Sequence, residues 1–192
     1  VSKKKFKNNN FDYPVFCNLE TKDYVESNLN KEFDLNHFIQ YPKEYKSCAL
    51  QYLKSADVFI SAHYWDPASP KIFEIKDLEK LGNLKVIGDI TCDVDGSVPT
   101  TIRSSTIDNP NFYIDRNTFK ETVDEGLAIM AVDNLPSELP RDSSKEFGDG
   151  IVREVIPYML NEDDGRILNA TITLNGSFLE KYNYLNDYIN TS

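Results

Sequence analysis

Apolar residues gather along this chain in short runs that stop at polar tips. Residues 57–64 contain Val-Phe-Ile-Ser-Ala, residues 84–90 read Leu-Lys-Val-Ile-Gly-Asp-Ile, and residues 127–132 read Leu-Ala-Ile-Met-Ala-Val. Each run is 6 to 8 residues long, is bounded by turn or polar residues, and is largely apolar at both alternating sets of positions. That pattern predicts parallel strands buried on both faces. Between the first two runs, Ile72, Phe73, Ile75, Leu78 and Leu81 predict a short helix over 70–81. Strand, helix, strand in about thirty residues is a βαβ unit.

The flanks are less regular. Pro-Val-Phe-Cys-Asn-Leu at 14–19 reads as a short strand, and Thr21 offers an N-cap for a brief helix through Val25. Residues 34–53 read as two helical pieces broken at Pro42. After the third strand, Ser143 and Glu146 have capping-box spacing. Phe147, Ile151, Val152, Val155, Ile156, Met159 and Leu160 form an apolar stripe behind them, and Pro157 is expected to kink or shorten that helix. An Asn-Gly corner in 170–178 predicts a type I′ hairpin. Tyr182, Leu185, Tyr188 and Ile189 predict a closing helix. The fold class is therefore α/β, a parallel sheet with helices on its faces and a C-terminal β-hairpin plus helix.

With 192 residues, 40% hydrophobic and 27% charged, the chain can build a packed core. Its formal net charge is 21 minus 31, or −10, which argues against nucleic acid or an anionic membrane as partner. No apolar run reaches the length that spans a bilayer, and the Lys-rich start followed by Asn8–Asn10 lacks the apolar segment of a secretory signal. Cys17, Cys48 and Cys92 stand at wide spacing without a CxxC pattern, and read as reduced thiols of a cytoplasmic protein.

Ligands of open α/β sheets bind beyond the carboxyl ends of the strands. The residues there are His63, Tyr64, Trp65 and Asp66; Asp89, Thr91, Cys92, Asp93, Asp95 and Gly96; and Asp133 and Asn134. His63 suits proton transfer near neutral pH, or equally a hydrogen bond at a strand edge. Tyr64 and Trp65 can stack on a nicotinamide or adenine ring, or cap the core. Asp89, Asp93 and Asp95 lack the companion ligands of a calcium loop, so no metal is expected. The glycine turn that would cradle a pyrophosphate is missing: the first glycine is Gly82, and Gly148-Asp149-Gly150 does not follow a strand.

Several motifs resemble the lysine-ketoglutarate reductase/saccharopine dehydrogenase family, relatives of alanine dehydrogenase and transhydrogenase. They are Tyr64-Trp65-Asp66-Pro67 after Val-Phe-Ile-Ser; Asp89-Ile90-Thr91-Cys92-Asp93 with Gly96-Ser97; Thr106-Ile107-Asp108-Asn109-Pro110; and Val132-Asp133-Asn134-Leu135-Pro136-Ser137-Glu138-Leu139-Pro140. The resemblance runs over roughly residues 11–188. It implies the second half of a Rossmann-type NAD- or NADP-binding domain over 11–160, with 161–192 packing toward an N-terminal domain that lies before Val1. That upstream part would hold the glycine-rich loop and the lysine and histidine of acid-base chemistry.

Carried over by motif, Tyr64, Ile90, Val132, Asp133, Asn134 and Leu135 would bind the cofactor. Thr91, Cys92 and Asp93 would meet an amino-acid substrate, and Asp133 and His63 would be the catalytic candidates. Cys92 departs from the usual small residue, His63 from an often aliphatic one, and Val94-Asp95-Gly96 from the Thr-rich stretch of the fungal enzymes. A competing expectation is a non-catalytic binding or assembly module on a half-Rossmann scaffold. A methyltransferase-like or deacylase protein would need a nucleophile or glycine loop that the sequence does not offer. A half-sheet also leaves an unpaired edge, which predicts a homo-oligomer or aggregation.

Overall fold

A computed structural model describes residues 1–8 and 11–189; Asn9 and Asn10 of the asparagine run lie outside the described residues, as does the side chain of Tyr188. Two compact units divide the chain, Val1–Glu138 and Leu139–Ser192.

The first unit opens with α1 (Lys3–Asn8), α2 (Thr21–Tyr24), β1 (Val25–Ser27), α3 (Leu35–Gln40), β2 (Tyr45–Ser47) and α4 (Leu50–Leu53). Residues 14–19 form no strand, and α2 is capped by Glu20 rather than Thr21. Its first turn closes when the Glu20 amide donates to the Asp23 carboxylate at 2.7 Å. The second expected helical piece also begins differently. Tyr45–Ser47 is extended because it pairs antiparallel with Val25–Ser27, a contact between distant residues that local periodicity cannot reveal.

The centre of the unit is a five-stranded sheet. β3 (Val58–Ser61), β4 (Val86–Asp89), β5 (Asn111–Ile114), β6 (Glu121–Thr122) and β7 (Leu127–Met130) are ordered β3-β4-β7-β5-β6. β3, β4 and β7 are the three apolar runs, adjacent and parallel, as their pattern predicts. β5 and β6 form an antiparallel hairpin on the far side of β7, an extension the sequence reading did not anticipate. The connection between β3 and β4 carries a 3₁₀ helix, Ile75–Lys80, in place of an α-helix. It brings Leu78 onto the sheet with no exposure, beside Ile72 and Phe73.

One face of the sheet is the core: Ile87, Ile114, Leu127 and Ile129 are fully buried on it. The strands are not buried on both sides, however. Val58 and Ile60 alternate with the core positions and remain 55% and 64% exposed. Gly88 lies between Ile60 and Met130 on that same face, since a Cβ there would meet Met130 Cε at 3.6 Å and Ile60 Cγ1 at 3.9 Å.

The second unit holds α5 (Pro140–Glu154), α6 (Ile156–Leu160), α7 (Arg166–Ala170), β8 (Thr173–Leu174), β9 (Ser177–Phe178), the 3₁₀ helix Glu180–Leu185 and α8 (Asn186–Ile189). Pro140 opens α5 in its first turn, where a missing N–H costs nothing. The helix therefore starts ahead of the Ser143 capping box. Pro157 does break it: α5 ends before Val155 and α6 begins after it. No residue of α5 is buried: within the apolar stripe Phe147 and Val152 are exposed and Ile151 is half-buried. Asn175 and Gly176 turn the hairpin with φ of 51° and 80°, the backbone of a type I′ turn. Among the described residues, no helix is long and apolar enough to cross a membrane.

Candidate active site

Parallel alignment brings the carboxyl ends of β3, β4 and β7 side by side. β3 ends at Ser61, whose carbonyl accepts from the Ile90 amide at 2.8 Å and so extends the pairing onto the tip of β4. Beyond it the chain turns through Asp66: the Asp66 carboxylate accepts from the Ala68 amide at 2.8 Å, and its carbonyl accepts from the Ser69 amide at 2.8 Å. Trp65 is held in that turn by its indole N–H, 3.3 Å from the Pro70 carbonyl, whereas Tyr64 projects outward, 90% exposed.

The tip of β4 is organised by a buried carboxylate. Asp89 has no exposure. Its Oδ1 accepts from the Thr91 hydroxyl at 2.6 Å and the Thr91 amide at 3.2 Å, and its Oδ2 accepts from the Thr101 hydroxyl at 2.6 Å. A buried charge is tolerated only with such partners. These bonds fix the start of the 90–105 loop to its far side, because Thr101 is twelve residues further along the chain. Within the loop, Gly96 donates its amide to the Asp93 carbonyl at 2.9 Å. A Cβ at Gly96 would lie 2.4 Å from the Asp93 Cβ, so this turn needs glycine.

Cys92 joins β4 to β7. Its backbone is left-handed, with φ of 55°, and its thiol donates to the Ala131 carbonyl at 3.0 Å. The same carbonyl accepts from the Ser105 amide at 2.7 Å, and the Ala131 amide donates to the Ser105 hydroxyl at 3.0 Å. Val132 is buried next to this clamp; Asp133 and Asn134 emerge into solvent, and Leu135 is half-buried at the start of the 3₁₀ turn Leu135–Glu138. Burial pushes the Cys92 thiol pKa up, and the charges of Asp133, Asp89 and Asp93 push it further the same way. Its thiolate is thereby disfavoured, which suits a hydrogen-bond donor better than a nucleophile.

His63 is half-buried behind the tip of β3. Its Nδ1 lies 3.2 Å from the Ser61 hydroxyl, and its ring centroid lies 5.9 Å from that of Tyr24. Its Nε2 is buried and has no hydrogen-bond partner among the described residues. Burial pushes the imidazole pKa below its ordinary value, opposed by the charges of Asp89 and Asp93. The electrostatics thus couple His63 to Asp93, and Cys92 to Asp93 and Asp133, across three adjacent strand ends.

Ser61, Thr101, Ser105 and Ala131 contribute to the site and were not singled out from sequence. Ser61, two residues before His63 in an extended strand, lies on the same side of the chain, a spacing that would have disclosed it. Thr101 reaches Asp89 through a loop fold that no local pattern encodes. Among the described residues, no three His, Cys, Asp or Glu side chains group as a metal site.

A half-open parallel sheet with polar tips gathered along one rim is the ligand-binding arrangement of nucleotide-dependent α/β enzymes. Residues 16–181 match the family described as "Alanine dehydrogenase/PNT, C-terminal domain", and the chain belongs to that family, one of NAD(P)-dependent dehydrogenases. It is 28% identical over 187 residues to alpha-aminoadipic semialdehyde synthase of Arabidopsis thaliana, covering 90% of this chain and 18% of the relative. The mitochondrial alpha-aminoadipic semialdehyde synthase of Rattus norvegicus is 25% identical over 183 residues, covering 75% of this chain and 20% of the relative. Saccharopine dehydrogenase [NAD(+), L-lysine-forming] of Yarrowia lipolytica is 27% identical over 115 residues, covering 58% of this chain and 30% of the relative. The chain thus spans about a fifth of the length of the two synthases it matches.

Proposed function

We propose that this chain is the second half of the cofactor-binding domain of an NAD(P)-dependent oxidoreductase that acts on an amino acid at a C–N bond, in the manner of saccharopine dehydrogenase or lysine-ketoglutarate reductase. The observation that carries the reading is the convergence of the polar tips of β3, β4 and β7 along one rim, tied together by Asp89, Cys92 and Ser105. When bound, the nicotinamide supplies or accepts the hydride exchanged with the substrate carbon.

The roles of the chain's own residues follow from the rim. Tyr64 and Ile90, both exposed beside the β3 and β4 tips, flank the cofactor, and Val132, Asn134 and Leu135 line its nicotinamide end. Thr91 and Cys92, held by Asp89 and Ala131, present a fixed surface to the amino acid together with Asp93. Asp133, exposed and acidic, orients either the cofactor carboxamide or a substrate ammonium. On this reading the pyrophosphate is left to the first half of the same cofactor-binding domain, since no glycine turn follows β3.

Calorimetric titration of the natural gene product with NAD+ and NADP+ tests the proposal. Binding of one of them, weakened by Asp133→Ala, is expected. A folded product that binds neither would overturn it and favour a binding or assembly module on the same scaffold.

A further inference from the structure

The corner of the β8–β9 hairpin carries a reactive pair. Asn175-Gly176 is the one Asn-Gly step in the chain. Both residues are exposed, and a Cβ built on Gly176 would meet nothing within 4 Å beyond its chain neighbours. Among the described residues, neither the Asn175 side-chain amide nor the Gly176 N–H meets a hydrogen-bond partner. An unengaged carboxamide thus precedes an unhindered backbone nitrogen. The two groups are neighbours along the chain, so only rotation within Asn175 separates them.

The hairpin gives little resistance to that rotation. β8 and β9 pair through Thr173–Phe178 and Leu174–Ser177 alone. Thr173, Leu174 and Ser177 are exposed, and Phe178 is half-buried. A two-stranded ribbon of this kind is marginal in water and opens readily. The three Asp-Gly steps of the chain, which could follow the same chemistry, are held more firmly. In Asp95-Gly96 the glycine amide donates to the Asp93 carbonyl at 2.9 Å. Asp149-Gly150 lies inside α5, with Lys145 on the Asp149 carboxylate at 2.6 Å. In Asp164-Gly165 the carboxylate is engaged by Arg166 at 2.9 Å.

We propose that Asn175 is a site of spontaneous deamidation that unpairs the hairpin, with water as the only co-reactant. The Gly176 nitrogen bonds to the side-chain carbonyl carbon of Asn175. The carboxamide C–N bond breaks, and ammonia leaves with the proton that Gly176 gives up. Water then adds to either carbonyl of the succinimide ring, which opens to aspartate or isoaspartate. Neither step is a redox step. Aspartate keeps the turn, because it tolerates the positive φ of this position. Isoaspartate routes the main chain through the side-chain carbon. It thereby adds an atom to a loop whose length fixes the register of β8 on β9.

The test incubates the natural gene product at mildly alkaline pH in heavy-oxygen water, then digests it with trypsin in ordinary water. Residues 167–181 emerge as one peptide, which also holds Asn169, followed by Ala170, as an internal reference. Asn175 is expected to take up the heavy isotope several-fold faster than Asn169 and to yield both aspartate and isoaspartate. Cross-strand NMR contacts between Thr173 and Phe178 are expected to vanish in the isoaspartyl fraction and to persist in Asn175→Asp, which carries the same added charge. Conversion at Asn175 no faster than at Asn169 overturns the proposal. Conversion to aspartate alone overturns it as well, since a succinimide opens both ways. So does an isoaspartyl fraction that keeps the Thr173–Phe178 contacts.

Discussion

Asp89 shows at the scale of one residue how the site is held. Three hydrogen bonds converge on a carboxylate with no solvent exposure, and two of their donors belong to Thr91, a substrate-side candidate. Asp89→Ala is expected to lower unfolding free energy by about 3 kcal/mol, since it strands three donors at once. Thr101→Val, which removes one of them, should cost about 1 kcal/mol. Urea denaturation of both variants measures the difference. His63 adds a pH dependence. Burial depresses its pKa in the folded state, so the unfolded chain binds the proton first. The stability it contributes is fully present above about pH 6.5, the unfolded value, and is lost as pH falls toward the lower folded one. Asp23 and Asp77 act in a separate, more acid window. Burial opposes their ionisation, but Lys3 and Lys80, together with hydrogen bonds from the Glu20 and Glu74 amides, outweigh it and hold both pKa values low. Urea midpoints from pH 5 to 7.5 should therefore rise with pH in wild type and flatten in His63→Leu. The tip residues His63 and Asp133 were legible because each directly follows an apolar run, and Asp93 because it stands three residues beyond one. The partners Thr101 and Ala131 were not, because the bonds to them are made in space.

Elements were legible to the extent that their stability is local. β3, β4 and β7 are continuous apolar runs, and the Asn175-Gly176 corner is written in two residues whose positive φ the turn demands. β5 was missed because Asn111–Ile114 becomes a strand by pairing with β7 and β6, contacts made in space. Residues 14–19 have the composition of a strand but no partner strand; several of them line the cavity beside β3 instead. The interruption at Val155 belongs to this scale as well. Proline lacks the N–H that would continue the helical ladder, and its ring opposes the carbonyl four residues back. Pro157→Ala should fuse α5 and α6 into one helix. The expected signs are a more negative ellipticity at 222 nm and helical Cα shifts running unbroken through Val155.

For the molecule as a whole, the decisive feature is the side of β3 that pairs with no strand among the described residues. The carbonyls of Asp57 and Ser61 accept from β4 and the residue after it, so by strand alternation Val58 and Ile60 turn their amides and carbonyls outward. Their side chains add exposed apolar area to that free edge. Such an edge promotes association through strand pairing. At equal concentration, Ile60→Lys is expected to reduce the apparent mass of this 192-residue chain in light scattering, and a monomeric wild type would refute the idea.

The opposite margin of the sheet behaves differently. β6 is two residues long, and Glu121 within it is engaged by Arg103 at 2.7 Å, so that margin is blunt and charged. Among the described residues, the five strands therefore form a ladder with one joinable end. Two copies meeting there would consume each other's opening, and growth would halt at a pair instead of propagating into a fibre.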